Sequence, residues 1–204
     1  MKKIITTLAL LACAASAAQA QTSIGITAGY GRTSLTGKNS NYNSQTHSAY
    51  QVGLTADAYL GEVLSFHPEL LYTLQYYDAT EGNSSSLAAL SRDVSYINVP
   101  LLARYHADGL FFEAGPEVNF ALAAKNEAGN NVKSDVSPVV LDYVVGLGYQ
   151  LNGGPSIGIR YDGGITNTYK DTANNGLGNG KLKNSTFWLN LGYSFGGTGS
   201  SSRR

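Results

Sequence analysis

The most constraining feature of this chain is a pair of alternating segments that meet at Asp108-Gly109. On each side of this dipeptide, apolar residues occupy every second position, and the charged and amide residues share the opposite parity: Asn98, Arg104, His106, Glu113, Glu117 and Asn119. The apolar rows are Ile97, Val99, Leu101, Ala103 and Tyr105 before the dipeptide, and Leu110, Phe112, Ala114, Pro116, Val118, Phe120 and Leu122 after it. Asp-Gly between two such segments is a strong signal for a tight β-hairpin. The pattern predicts two antiparallel strands with one apolar face and one polar face.

Six further segments show the same period of two residues, which brings the total to eight. They cover residues 23–32, 48–60, 63–77, 139–151, 156–168 and 186–195. Each has at least the roughly 9 to 11 residues that a tilted transmembrane strand needs. No segment after the N-terminal region shows helical periodicity or the length of a transmembrane helix.

The connections between these segments alternate strictly between short and long. Short turns lie at Gly61-Glu62, at 107–109 and at 152–155. Long polar connections cover residues 33–47, 78–92, 125–138 and 169–185. A soluble β-sandwich has no reason to follow this rule, whereas an outer-membrane barrel places short turns in the periplasm and long loops outside. The sequence therefore predicts an all-β fold, an eight-stranded antiparallel up-and-down transmembrane β-barrel.

Composition agrees with a membrane β-protein. Charged residues make up 14% of the chain, against about a quarter in a typical soluble protein. Lys+Arg and Asp+Glu both number 14, so the formal net charge is zero. Without a net basic field, nothing in the composition indicates a nucleic-acid partner.

The N-terminal region has the pattern of a secretory signal peptide. Lys2 and Lys3 precede an apolar run over residues 4–17, and Ala18-Gln19-Ala20 is a small-x-small cleavage pattern. This predicts a cleaved signal at residues 1–20, a barrel at 21–195 and a flexible tail at 196–204. An alternative is that residues 10–13 form a lipoprotein box and that Cys13 is acylated, but the apolar run continues past this cysteine.

Several motifs together resemble a known family. They are Phe66-His67-Pro68-Glu69-Leu70-Leu71-Tyr72, then Tyr96-Ile97-Asn98-Val99-Pro100-Leu101-Leu102-Ala103-Arg104-Tyr105, then Phe112-Glu113-Ala114-Gly115-Pro116-Glu117, Gly146-Leu147-Gly148-Tyr149 and Leu191-Gly192-Tyr193-Ser194-Phe195. In this order they are similar to the small outer-membrane β-barrels named the porin family or PorT-like proteins. The resemblance implies a barrel in the outer membrane of a Gram-negative bacterium, reached through the periplasm. Its expected partners are outer-membrane lipids and the barrel-assembly machinery.

The polar face of the predicted barrel carries a set of charged residues that should point into the lumen. They are Asp57, Glu69, Arg104, Glu113, Glu117, Asp142, Arg160 and Asp162. An eight-stranded barrel is only wide enough inside for its own side chains. The sequence therefore predicts that these charged side chains are buried and paired with one another. We expect Arg104 to bridge Glu69 and Glu113. Six acids against two arginines also leave open a path for protons or small cations.

The aromatic residues near the strand ends predict two interfacial girdles. Tyr30, Tyr72, Tyr76 and Tyr77 form the expected outer girdle, and Tyr105, Tyr149, Tyr193 and Phe195 the inner one. Such bands anchor barrels at the two membrane interfaces.

The function that these patterns favour is non-enzymatic. The expected role is structural or one of interaction with an extracellular protein or glycan through the loops, and the alternative is a narrow channel or transporter for protons or small cations. No catalytic, metal or cofactor site is predicted, because the three histidines are scattered and no serine has a nucleophile-elbow pattern. Lipid hydrolysis would require a serine at the outer rim within hydrogen-bond reach of His47.

Overall fold

A computed structural model describes residues 22–37, 42–44, 46–77, 79–81, 92–126, 129–168 and 182–195. The predicted signal peptide at 1–20, its alternative at Cys13 and the predicted tail at 196–204 lie outside these residues. The strands, in chain order, are β1 Thr22–Gly37, β2 Tyr42–Ser44, β3 His47–Tyr59, β4 Leu64–Tyr77, β5 Ala79–Glu81, β6 Arg92–Ala107, β7 Leu110–Asn126, β8 Val139–Gln150, β9 Pro155–Gly164 and β10 Leu182–Ser194. A single 3-10 turn covers Lys133–Asp135, and no helix in the described ranges is suited to crossing a membrane.

Eight of these strands close into an antiparallel barrel in the order β1-β10-β9-β8-β7-β6-β4-β3. The ring is closed by β1, which pairs with β3 on one side and with β10 on the other. Every barrel strand therefore has two hydrogen-bonded neighbours. The predicted fold class is confirmed.

The short turns all lie at one end of the barrel. The hairpin of β6 and β7 turns at Asp108 and Gly109, whose φ angles are 49° and 86°. Two successive positive φ values are what a type I′ hairpin turn requires, and Asp-Gly provides them at low steric cost. By the rule that short turns are periplasmic, this end of the barrel faces the periplasm.

The first and last barrel strands are longer than the alternation predicts. The ladder between β1 and β10 extends to the pair Gly37 and Leu182, so residues 33–37 and 182–185 are strand rather than loop. Likewise β7 continues to Asn126, and β2 pairs with β5 within two connections that were predicted to be loops. Outside the bilayer, a strand does not need a row of apolar side chains that faces lipid. The alternation of apolar and polar residues therefore did not predict these parts of the strands.

Strand β9 is shorter than predicted and ends at Gly164 instead of residue 168. Ile165 and Thr166 both donate their backbone N–H to the carbonyl of Leu141, at 2.9 and 3.1 Å. Two donors on one acceptor break the regular ladder, so the strand stops there.

The outer face of the barrel is apolar in all eight strands, as the alternation predicts. Representative side chains are Ile24, Leu54, Leu141, Ile159 and Leu191, which are exposed by 41–62%. A soluble monomer rarely carries a continuous apolar surface of this extent. The face is therefore the one that contacts lipid.

The outer aromatic girdle differs from its prediction at one residue. The rings of Tyr30 and Tyr50 are 5.5 Å apart, and those of Tyr50 and Tyr76 are 6.5 Å apart, all on the outer face. Tyr77 instead points into the lumen and is 3% exposed. The prediction for Tyr77 was wrong because adjacent strand residues point to opposite faces.

A charged residue on the lipid face should destabilise the barrel strongly only near the middle of the bilayer. Leu54 lies in the middle of β3 and Leu60 in the turn that follows this strand. We expect Leu54→Arg to lower the free energy of unfolding by about 2–4 kcal/mol and Leu60→Arg by about 0–1 kcal/mol. Urea titration of the protein in phospholipid vesicles measures both. Equal losses in the two variants would contradict this orientation in the bilayer.

Candidate functional site: the barrel interior

The periplasmic half of the lumen contains a network of ion pairs, which we call the lower layer: Asp57, His67, Glu69, Arg104, Glu113 and Arg160. Arg160 donates to both oxygens of Glu69 at 2.8 and 2.9 Å and to Oε1 of Glu113 at 2.9 Å. Arg104 donates to Oε2 of Glu113 from Nε and Nη2, at 3.1 and 2.8 Å. All six residues are at most 7% exposed. Each carboxylate in this layer thus has a cationic or imidazole partner.

The bridge between Glu69 and Glu113 is made by a different arginine from the one expected. Arg160, and not Arg104, joins these two glutamates. The second carboxylate partner of Arg104 is Asp57, at 3.4 Å. Sequence reasoning could assign Arg104 and Arg160 to the lumen, but it could not choose between them because strand tilt and shear decide which side chains meet across the interior.

His67 lies at the centre of the lower layer. Its Nδ1 lies 2.8 Å from Asp57 Oδ1 and its Nε2 lies 2.8 Å from Glu69 Oε1. Arg104 Nη2 lies 2.7 Å from the same Nε2, and the Arg104 guanidinium also stacks 4.3 Å from the centre of the Phe111 ring. The signal that could have identified this role is parity, since His67 and Glu69 share a face of β4.

The middle of the lumen contains three acids and three asparagines, which we call the middle layer: Asn98, Glu117, Asn119, Asp142, Asp162 and Asn184. Glu117 and Asp142 are direct partners across β7 and β8, and all three acids are at most 2% exposed. Their hydrogen bonds come from neutral groups only. Asn98 donates to Glu117 at 3.1 Å, Asn119 and Asn184 to Asp142 at 2.9 and 3.3 Å, and Trp188 to Asp162 at 2.6 Å. In the described part of the chain, no arginine, lysine or histidine donates to these three acids.

The structure thus places all eight charged residues of the expected set inside the barrel, divided between two layers. Asp57, Glu69, Arg104, Glu113 and Arg160 lie together in the lower layer, and Glu117, Asp142 and Asp162 in the middle layer. Both arginines are held by lower-layer acids. This division leaves the three acids of the middle layer without a basic hydrogen-bond partner among the described residues.

The extracellular end of the lumen is closed by an apolar cluster, which we call the apolar plug: Leu35, Tyr77, Val94, Tyr96, Ala121, Ala124, Val136 and Leu182. Val136 comes from the β7–β8 connection and is 1% exposed. This connection is fixed by Ser137, whose N–H and hydroxyl donate to the carbonyls of Thr168 and Asn167 at 3.0 and 2.9 Å. Sequence reasoning missed the plug because a connection contributes to it and alternation describes only strands.

The described part of the interior includes two small cavities next to these layers. One, of about 40 Å³, adjoins the lower layer and is lined by residues that include Glu69, Glu113 and Asn190. The other, of about 10 Å³, lies between the middle layer and the apolar plug and is lined by residues that include Asn98, Asp142 and Thr168. A cavity holds one water when the space open to the centre of a water molecule is about 10–15 Å³. The upper cavity therefore has room for about one water-sized occupant.

A serine and a histidine form a hydrogen bond at the periplasmic end of the lumen. Ser65 Oγ lies 2.9 Å from His106 Nε2 and donates to Asp57 Oδ1 at 3.1 Å. These are the residue types of a hydrolase triad, but Ser65 is fully buried. Near the outer rim, the hydroxyl of Ser48 is bonded to Tyr30 at 3.2 Å.

The family model of the outer membrane protein β-barrel domain matches residues 5–195. The chain belongs to this family. This membership supports a location in the outer membrane of Gram-negative bacteria. It also confirms the resemblance to small outer-membrane barrels. No curated protein sequence matches the chain.

Solved outer-membrane barrels share the fold at low identity. Neisserial surface protein A is 10% identical over 86% of this chain and 99% of that chain, with a TM-score of 0.57. Ail, the attachment invasion locus protein of Yersinia pestis, is 14% identical over 86% of this chain and 99% of that chain, with a TM-score of 0.48. The outer membrane enzyme PagL is 16% identical over 81% of this chain and 97% of that chain, with a TM-score of 0.44. At these identities the likeness concerns the fold alone.

Removal of Arg160 should destabilise the barrel strongly, because Glu69 and Glu113 would remain buried without their shared cation. We expect Arg160→Met to lower the free energy of unfolding by about 3–5 kcal/mol. Urea titration followed by the fluorescence of Trp188, the single tryptophan, measures this loss.

The matched control for this experiment is Arg32→Met. The Arg32 side chain is on the exposed face and donates to the carbonyl of Thr46, so the expected loss is about 0–1 kcal/mol. A triple variant with Arg160→Met, Glu69→Gln and Glu113→Gln should recover most of the stability. Failure to recover it would mean that packing, and not charge pairing, is the main role of Arg160.

Proposed function

We propose that this outer-membrane barrel is a non-conducting, non-enzymatic protein that acts through its extracellular part, by interaction with a protein or a glycan. The observation that carries the proposal is the apolar plug over a lumen already filled by two polar layers. A conducting path needs a continuous wet route, and apolar constrictions oppose one. In this barrel the upper cavity has room for about one water and lies beneath the plug.

The length of the strands supports a role at the cell surface. β1 and β6 have 16 residues each and β7 has 17, whereas a strand crosses the bilayer in about 9–11. β6 and β7 meet at a periplasmic turn, and β1 begins at the same end of the barrel, where Thr22 pairs with Ala58. The extra residues of these strands therefore extend beyond the outer leaflet. Together with the β2–β5 ladder, they give the barrel a structured extracellular rim on which a partner could dock.

The absence of enzymatic activity is part of the same proposal. The three histidines are divided between the lower layer, the periplasmic end and the start of β3 at His47. Ser65, which contacts His106, is closed off from both lipid and solvent. An acyl-transfer site needs a nucleophile that the substrate can reach.

Planar-bilayer recording tests the proposal directly. Purified protein should give no unit currents in concentrated KCl, because the apolar plug and the lower layer both obstruct the lumen. A 16-stranded porin reconstituted in the same way supplies the positive control.

The contrary result would identify the narrow channel for protons or small cations. Unit currents that disappear in Glu69→Gln or Glu117→Gln would show conduction through the lumen and would overturn the proposal. Currents that persist unchanged in both variants would indicate a contaminating porin, which immunodepletion of the sample would remove.

A further inference from the structure

We propose that the outer wall of the barrel, where β1 pairs with β10, binds the phosphate headgroup of an anionic lipid in the outer leaflet. The residues that form this site, which we call the seam patch, are Arg32, Ser34, Lys183 and Ser185. All four side chains are on the outer face, where Arg32 is exposed and the other three are half-buried. A lipid of the membrane is a different partner from the extracellular protein or glycan of the proposed surface role.

The strand register places the four side chains of the seam patch in one contiguous cluster. Ser34 and Ser185 are direct partners across β1 and β10. Arg32 lies two residues before Ser34, and Lys183 two residues before Ser185. Because the strands are antiparallel, the two basic residues flank the serine pair, with Arg32 toward the bilayer and Lys183 toward the exterior. Each is a diagonal neighbour of a serine on the other strand, at about 7–8 Å, which a long side chain can span.

Aromatic rings on the outer face fix the depth of the seam patch in the membrane. The rings of Tyr161 and Phe187 are 4.7 Å apart, and those of Tyr30 and Tyr50 are 5.5 Å apart. Phe187 is the direct partner of Arg32 across β10 and β1. Aromatic bands of this kind lie at the level of the lipid headgroups. The seam patch therefore begins at the headgroup level and faces sideways, toward lipid.

The positive charge of the seam patch is not balanced by acids of the surrounding wall. The acids of β1, β3, β9 and β10 are Asp57 and Asp162, and both are buried in the lumen. The guanidinium of Arg32 donates to a backbone carbonyl at 2.9 Å, which leaves its charge uncompensated. Lys125 at the same end of the barrel differs, because it is the direct partner of Asp93 across β6 and β7. A membrane anion would supply the missing counter-charge at the seam patch.

A phosphate headgroup fits the donors of the seam patch. Arginine presents a planar fork of N–H groups that matches phosphate oxygens, and lysine binds phosphate as a point charge. The two serine hydroxyls between these cations can each donate a hydrogen bond as well. Charge-assisted bonds of this kind are roughly twice as strong as bonds between neutral groups.

The apolar wall below the seam patch fits the acyl chains of the same molecule. Phe187 and Leu189 follow the patch along β10 toward the middle of the bilayer, and they are exposed by 66% and 47%. A lipid would contact both the cations and this apolar surface. A soluble anion would contact the cations alone, so a lipid is the occupant that matches the whole surface.

The test measures lipid retention by native mass spectrometry of the full chain released from a nonionic detergent. The probe is phosphatidic acid, whose headgroup is a phosphomonoester, and the reference is phosphatidylcholine with the same acyl chains. Wild-type protein should retain a single molecule of phosphatidic acid at concentrations where phosphatidylcholine is not retained. Inorganic phosphate in large excess should not displace the bound lipid, because the acyl chains contribute to its binding.

Variants of the basic residues distinguish the seam patch from attraction by overall charge. Arg32→Gln and Lys183→Gln should each weaken the binding of phosphatidic acid about fivefold, and the double variant about twentyfold. Lys125→Gln is the matched control, since it removes one positive charge at the same end of the barrel and should leave binding unchanged. All of these side chains are on the outer face, and gel migration of unheated samples verifies that each variant is folded.

Four results would overturn the proposal. They are equal retention of phosphatidic acid and phosphatidylcholine, displacement by inorganic phosphate, unchanged binding in the double variant, and equal weakening in Lys125→Gln and Lys183→Gln. Displacement would identify a soluble anion as the ligand, and equal weakening would indicate attraction by overall charge without a site. The assay involves neither conductance nor an extracellular partner. Its outcome is therefore separate from that of the proposed surface role.

Discussion

The structure depends on one constraint, which is that no backbone polar group can be left unpaired in the hydrocarbon of a membrane. An open sheet would expose two edges to lipid, and each edge group would lose a hydrogen bond. Closure between β1 and β10 removes both edges. The continuous ladder around the ring then allows the whole outer surface to be apolar, because its backbone needs no further partners.

Closure with only eight strands has a second consequence, for the interior. A ring of this size encloses a space that side chains fill, so every polar residue of the inner face must find a partner among its neighbours. The lower layer achieves this with Arg104, Arg160 and His67 between three acids. The acids of the middle layer have only amides and the Trp188 indole as hydrogen-bond donors among the described residues. The two halves of the lumen therefore differ in chemistry although they share one architecture.

The proposed non-conducting role rests on the apolar plug and on the small volume beneath it. The upper cavity has room for about one water. In this proposal a filled and rigid interior supports a docking surface at the extracellular rim.

The sequence by itself determined the number of barrel strands, the face that meets lipid and the eight charged residues that point into the lumen. It could do so because the period of two residues and the alternating connection lengths are local properties of the chain. Only the tertiary structure decided that Arg160 joins Glu69 to Glu113, that Tyr77 and Val136 close the extracellular end, and that three acids are left without a cationic donor in the described lumen. These contacts run across the barrel between residues far apart in the chain. Strand shear sets which of them meet, and shear leaves no trace in local periodicity.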